Sequence, residues 1–146
     1  MSLAVDVATE GVRIPISRSR VAALAEGVLR RERVRDALLS IAFVSDRRIA
    51  ALNREHLGHA GPTDVISFGF APVVGGRAIV GDVYIAPGEA RRNARDHGGS
   101  VREELMRLVV HGVLHVIGHD HPNGETRYGS PMWRRQERLL RSLGAR

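Results

Sequence analysis

The sequence predicts an α+β fold, a roughly four-stranded mixed sheet packed by about five helices, in a single domain over residues 1–146. Three observations carry that expectation. Strand-like and helix-like runs alternate through the first half of the chain, and two β-rich runs flank a Gly75-Gly76 pair as in an antiparallel hairpin. A long amphipathic run towards the C-terminal side carries histidines at helical spacing, which predicts a zincin-like metal helix.

Residues 3–8, LAVDVA, alternate in the manner of a strand, and Ser17 precedes a helical run with apolar positions at Val21, Leu24, Ala25 and Val28. Ala37 to Val44, ALLSIAFV, is a short apolar run suited to a buried strand, and Ser45 is the expected N-cap of a second helix through DRRIAALNREHL. The segment HLGHAGPT holds glycines and Pro62 and reads as a loop that delivers a third strand, Asp64 to Phe70. The run AIVGDVYIA supplies its hairpin partner. Pro87 opens a helix that Gly98-Gly99 end, with Arg91, Arg92 and Arg95 either simply solvated or a candidate cationic face. Ser100 with Glu103 three residues on forms a capping box for the histidine helix, whose core stripe is Leu105, Leu108, Val109 and Leu114. Pro131 to Leu143 reads as an amphipathic closing helix, with Met132, Trp133, Leu139, Leu140 and Leu143 as packing residues.

Composition narrows the chemistry. Without cysteine the chain has neither disulfides nor a thiolate zinc site, so histidine and carboxylate must supply any metal ligands, which fits a reducing cytoplasm. The opening residues lack the pattern of a signal peptide, and no stretch has the apolar length to span a bilayer, so a soluble, untargeted, cytoplasmic protein is expected with no membrane partner. The formal charge is +6 and all 22 basic residues are arginine, a bias that GC-rich codon usage explains. A surface of that sign is either simply solvated or attracts phosphates.

The run HGVLHVIGHDH has the spacing HxxxHxxGxxH, through His111, His115, Gly118 and His121. Residues four apart share a helix face, so His111 and His115 can aim at one point. Gly118 is suited to the left-handed turn that would bring His121 back to the same point. The alternative is helix histidines satisfied by backbone or water, but three at ligand spacing favour a metal. Metzincin proteases share the spacing, with a glutamate after the first histidine as general base; here that position is Gly112, which opposes peptidase chemistry.

The element order, with LNREHLGHAGPTDVISF, GDVYIA and HGVLHVIGHDH at set places along it, resembles the YbeY family of bacterial rRNA-maturation endoribonucleases from about Leu38 to Leu143. The family pattern HGxLHLxGYDH matches His111, Gly112, Leu114, His115, Gly118, Asp120 and His121, with His119 at the usual tyrosine. A second match runs from Leu52 and Asn53 to Pro62, Thr63, Asp64, Val65, Ser67 and Phe68. The resemblance implies a single-strand-specific, zinc-dependent endoribonuclease acting in 16S rRNA 3'-end maturation and ribosome quality control, with ribosomal RNA and the ribosome or its associated proteins as partners. It implies one Zn2+ per chain on His111, His115 and His121, a fourth coordination position being left for water.

The sequence departs from the family pattern LNxxYRxxDxPTDVLSF where His56 replaces the tyrosine, Leu57 the arginine implicated in cleavage and Ala60 the aspartate. Arg54, His56 or His59 are candidates to replace the lost charge. Asp64 and Ser67 line the same cleft if the family architecture holds, or else anchor loop and strand; Asp120 orients a ligand histidine or serves the turn. Leu57 favours a different reading, a noncatalytic metal-stabilised module that binds RNA or the ribosome. A zinc metalloprotease-like hydrolase is the third.

Overall fold

A computed structural model describes residues 2–70, 78–120 and 128–144. The elements follow in the order β1 (Leu3–Thr9), α1 (Arg18–Arg31), β2 (Ala37–Phe43), α2 (Asp46–Leu52), β3 (Val65–Phe70), β4 (Ile79–Ile85), α3 (Pro87–His97), α4 (Val101–Ile117) and α5 (Pro131–Gly144). They form the expected α+β architecture. The sheet runs β1-β2-β4-β3 and is mixed: β1 and β2 pair in parallel, β2 and β4 pair in parallel, and β3 lies antiparallel to β4. Val65 stands opposite Ile85 and Phe70 opposite Val80, the register a hairpin requires. The Gly75-Gly76 pair expected at its tip lies outside the described residues.

Strand alternation sorts side chains onto the two faces of the sheet. On one face Leu39, Ile41, Val83 and Ile85 bury against α1 and α4, and on the other Ala42 and Ile66 meet Ile49 and Leu52 of α2. α4 is buried on more than one side, with Met106, Val110, Val113 and Val116 joining the four expected core residues. It packs against the sheet as well as α1, α3 and α5, so a single-face stripe underestimates it.

Two glycines set how closely helix and sheet approach. A Cβ on Gly112 of α4 would stand 2.5 Å from Val83 Cγ1, and one on Gly81 of β4 would stand 2.4 Å from Val116 Cγ1. Both contacts are far inside van der Waals range. The histidine helix therefore lies as near the sheet as it does because neither facing position carries a side chain.

The helix starts obey local chemistry. The hydroxyls of Ser17, Ser45 and Ser100 accept from the backbone N–H groups of Arg20, Arg48 and Glu103, each the N3 position. The capping box at Ser100 is only half formed, since the Glu103 carboxylate turns to Arg107. The helix after Ser45 is also not one α-helix: α2 passes into a π-helical turn at Asn53–Leu57, ended by Gly58 at φ 70°. The arginines of α3 are not an open cationic face. Arg92 is held by Asp46 and Glu89, Arg91 donates to the Arg13 carbonyl, and Arg95 lies near Asp96.

Candidate metal centre and adjoining cavity

α4 brings His111 and His115 onto one face, with ring centroids 4.6 Å apart and ring planes at 71°. The helix ends as glycine permits, with Gly118 at φ 122° and its N–H returning to the Leu114 and His115 carbonyls, while the His119 N–H also reaches Leu114. That φ is positive but well beyond the left-handed helical value expected. His121 lies outside the described residues. Among the described residues no group of three His, Cys, Asp or Glu is assembled for a metal, and two imidazoles of the motif are on one face.

His111 is oriented by a residue the sequence reading did not single out. Its Nδ1 lies 2.6 Å from Oε1 of Gln136 on α5, a side chain only 1% exposed. The Gln136 amide nitrogen donates to the Glu137 carboxylate at 3.0 Å, which fixes the amide's orientation and turns its oxygen to the imidazole. An amide oxygen only accepts, so His111 Nδ1 carries a hydrogen, and Nε2 is the nitrogen through which this ring would bind a metal. The signal was present in the sequence: Gln136 falls four residues after Met132 and three before Leu139, a polar residue on the core face of an amphipathic helix.

Behind Gln136 the charges are paired. Glu137 accepts from Arg107 Nε at 3.0 Å, and Arg107 also reaches Glu104 at 2.8 Å and Glu103 at 3.1 Å. Burial works against the Arg107 charge, but Glu137 and Glu104 outweigh it and hold its pKa above the usual range. At the other end of α4, His119 Nε2 bonds Glu32, which also takes Arg135 of α5 at 2.7 Å. Burial pushes the Glu32 carboxyl up, yet the hydrogen bonds from Arg135 and His119 prevail and lower it. The turn after the histidine helix is thus tied to both α1 and α5.

Ser67 sits on the helix-facing side of β3 and donates to the Gly112 carbonyl at 3.2 Å, so its hydroxyl anchors α4 to the sheet. Asp64 accepts from Asn93 at 3.1 Å and lines a cavity of about 490 Å3 together with His111, Glu104, Trp133 and Gln136. Trp133, expected as a packing residue, is a half-buried wall of this cavity, 4.7 Å centroid to centroid from Tyr128. Arg54, His56 and His59 are exposed on the π turn and the loop after it, and none is among the described residues lining the cavity. His56 stands edge-on to Phe68 at 5.3 Å. Leu57 is 48% exposed, and Asp120 is exposed two residues beyond Gly118, the C-cap of α4.

The sheet order and the buried helix bearing paired histidines define an α+β protein that presents two imidazoles on one face of its central helix. The chain belongs to the endoribonuclease YbeY family, whose model matches residues 6–144. It is 34% identical over 155 aligned residues to the endoribonuclease YbeY of Bacillus licheniformis, covering 99% of this chain and 97% of that one. The likeness to the Aquifex aeolicus endoribonuclease YbeY is 43% over 86 residues, 59% of this chain and 57% of the relative. The solution structure of a Thermotoga maritima protein is similar in fold, with a TM-score of 0.65, 24% identity, and 97% and 89% of the two chains covered.

Proposed function

We propose that this protein is a zinc-dependent endoribonuclease specific for single-stranded RNA, with His111, His115 and His121 as metal ligands, in one domain over residues 1–146. The reading extends to 16S rRNA 3'-end maturation and ribosome quality control in the cytoplasm, with the ribosome or its associated proteins as partners. The observation that carries it is the buried Gln136 against His111 Nδ1, because an acceptor on the far nitrogen that fixes the ring's orientation is the usual companion of a metal-ligating imidazole. Imidazole donors on one helix face suit zinc. Family membership supports the RNA substrate.

When bound, the ion supplies Lewis acidity and brings a water towards a pKa of roughly 7. The chain's own residues prepare that chemistry. Gln136 keeps the proton of His111 on Nδ1, and Ser67 with Gly112 holds the helix against the sheet. Gly112 also argues against a peptidase, since a glutamate there would drive its Cβ into Val83.

Leu57 favours one rival, a noncatalytic metal-stabilised module that binds RNA or the ribosome, because it is exposed at the end of the π turn and cannot bind a phosphate. Purified protein should be assayed on single-stranded and structured RNA beside casein, with and without chelator. Chelator-sensitive cleavage of the single-stranded RNA alone is expected; RNA binding without cleavage would support the module, and casein hydrolysis the protease. Leu57→Arg should raise single-turnover cleavage more than RNA affinity at one fixed salt concentration.

A further inference from the structure

We propose that the cavity beside His111 receives the unpaired base next to the cleaved phosphodiester and prefers guanine. The inference rests on the nuclease reading above for its link to cleavage, but the pocket's selectivity is argued from its own walls. Among the described residues, three carboxylates, Asp64, Glu103 and Glu104, line it against one guanidinium, Arg107, in a chain whose formal charge is +6. Such a lining repels phosphate, so the part of an RNA that enters is uncharged. Trp133 and Tyr128 add aromatic surface, on which a base stacks whatever its identity. The volume of about 490 Å3 lies in the range of small-molecule sites.

Placement decides between an RNA base and a free amine, which carboxylates and aromatic rings also suit. His111 is itself part of the cavity lining, so a ring held there is adjacent to the candidate metal site. A base can enter only if it is neither paired nor stacked in a helix, which gives the preference for single strands a physical cause.

The acceptors choose among the bases. Both hydrogens of the Asn93 amide are engaged, one on Asp64 Oδ2 at 3.1 Å and one on Glu104 Oε2 at 3.3 Å, which fixes the two carboxylates relative to each other. A carboxylate has about four lone-pair sites, so each retains capacity for a ligand. Guanine offers adjacent N1–H and N2–H donors that match one carboxylate with two parallel hydrogen bonds. Adenine and cytosine set a single amino group beside a ring acceptor, and uracil sets one N–H between two carbonyls, so each brings an acceptor against the carboxylates.

Trp133 is the only tryptophan in the chain and reports on the pocket directly. Metal-free protein is titrated with GMP, AMP, CMP, UMP and spermidine at one salt concentration, with tryptophan fluorescence as the readout. GMP should saturate the change at a concentration at least about tenfold below the other nucleotides. In Asp64→Asn and in Glu104→Gln that advantage should shrink to less than about threefold while the shared stacking response remains. An equal response to all four nucleotides, a response to spermidine alone, or none overturns the proposal. Chelator-sensitive RNA cleavage with no base preference would reject the pocket and leave the nuclease standing, whereas guanine selectivity in a protein that never cleaves RNA would do the reverse.

Discussion

Gln136 and Gly112 act on the same helix from opposite sides, one by a hydrogen bond and one by the absence of a side chain. Gln136→Leu keeps the bulk of a buried side chain but leaves His111 Nδ1 without its acceptor, so His111 loses the bond that orients it. Removing such a partner typically weakens metal binding by about 10–100-fold. Competition with a zinc-sensitive dye should read that loss; unchanged affinity would reduce Gln136 to packing. Gly112→Ala places a methyl 2.5 Å from Val83 Cγ1 and should cost about 1–3 kcal/mol in urea unfolding. The two residues differ in legibility. Gly112 stood inside a motif as a match to the family pattern and as a missing glutamate, but its packing role was not legible because the strand that demands it is distant in sequence. Gln136 lies 25 residues from its partner, and only its place on an apolar helix face marked it.

Elements were legible where their signals are local. Serine caps at Ser17, Ser45 and Ser100 and the Gly98 stop are recognisable within a few residues, and all four function at helix ends. The π turn at Asn53–Leu57 had no such signal, since Arg54, Glu55 and Leu57 are good helix formers and the wider turn is a departure in hydrogen bonding. The candidate arginine face on α3 is interrupted by Asp46, a residue of α2 that no local pattern connects to Arg92. The joint of α1, α4 and α5 at Glu32 is likewise visible only in three dimensions, and it makes a prediction about acid. A carboxyl lowered by folding adds stability above its ordinary pKa of 4.5, and that stability is lost as pH falls through the lower folded value. Glu32→Gln should therefore be less stable than the natural protein near neutrality and lose less on acidification from pH 4.5 downward. Parallel urea-unfolding curves across that range would check it, and an equal acid loss in both proteins would contradict the assignment.

At the scale of the molecule, the cavity draws on β3, α3, α4, α5 and the residues just before α5, so no single stretch of sequence could display it. Its acidic lining among the described residues, within a basic chain, would on the proposed reading separate general attraction of RNA from selection at one site. The histidine motif was readable because helical periodicity places His111 and His115 together without tertiary help. On the proposed reading, this helix and the residues after it hold a metal ion on which RNA cleavage depends. Elemental analysis of protein purified without a polyhistidine tag tests it most directly. About one zinc per chain is expected in the natural protein, lost in His115→Ala; no bound metal in the natural protein, or the same content in both, would overturn the metal site.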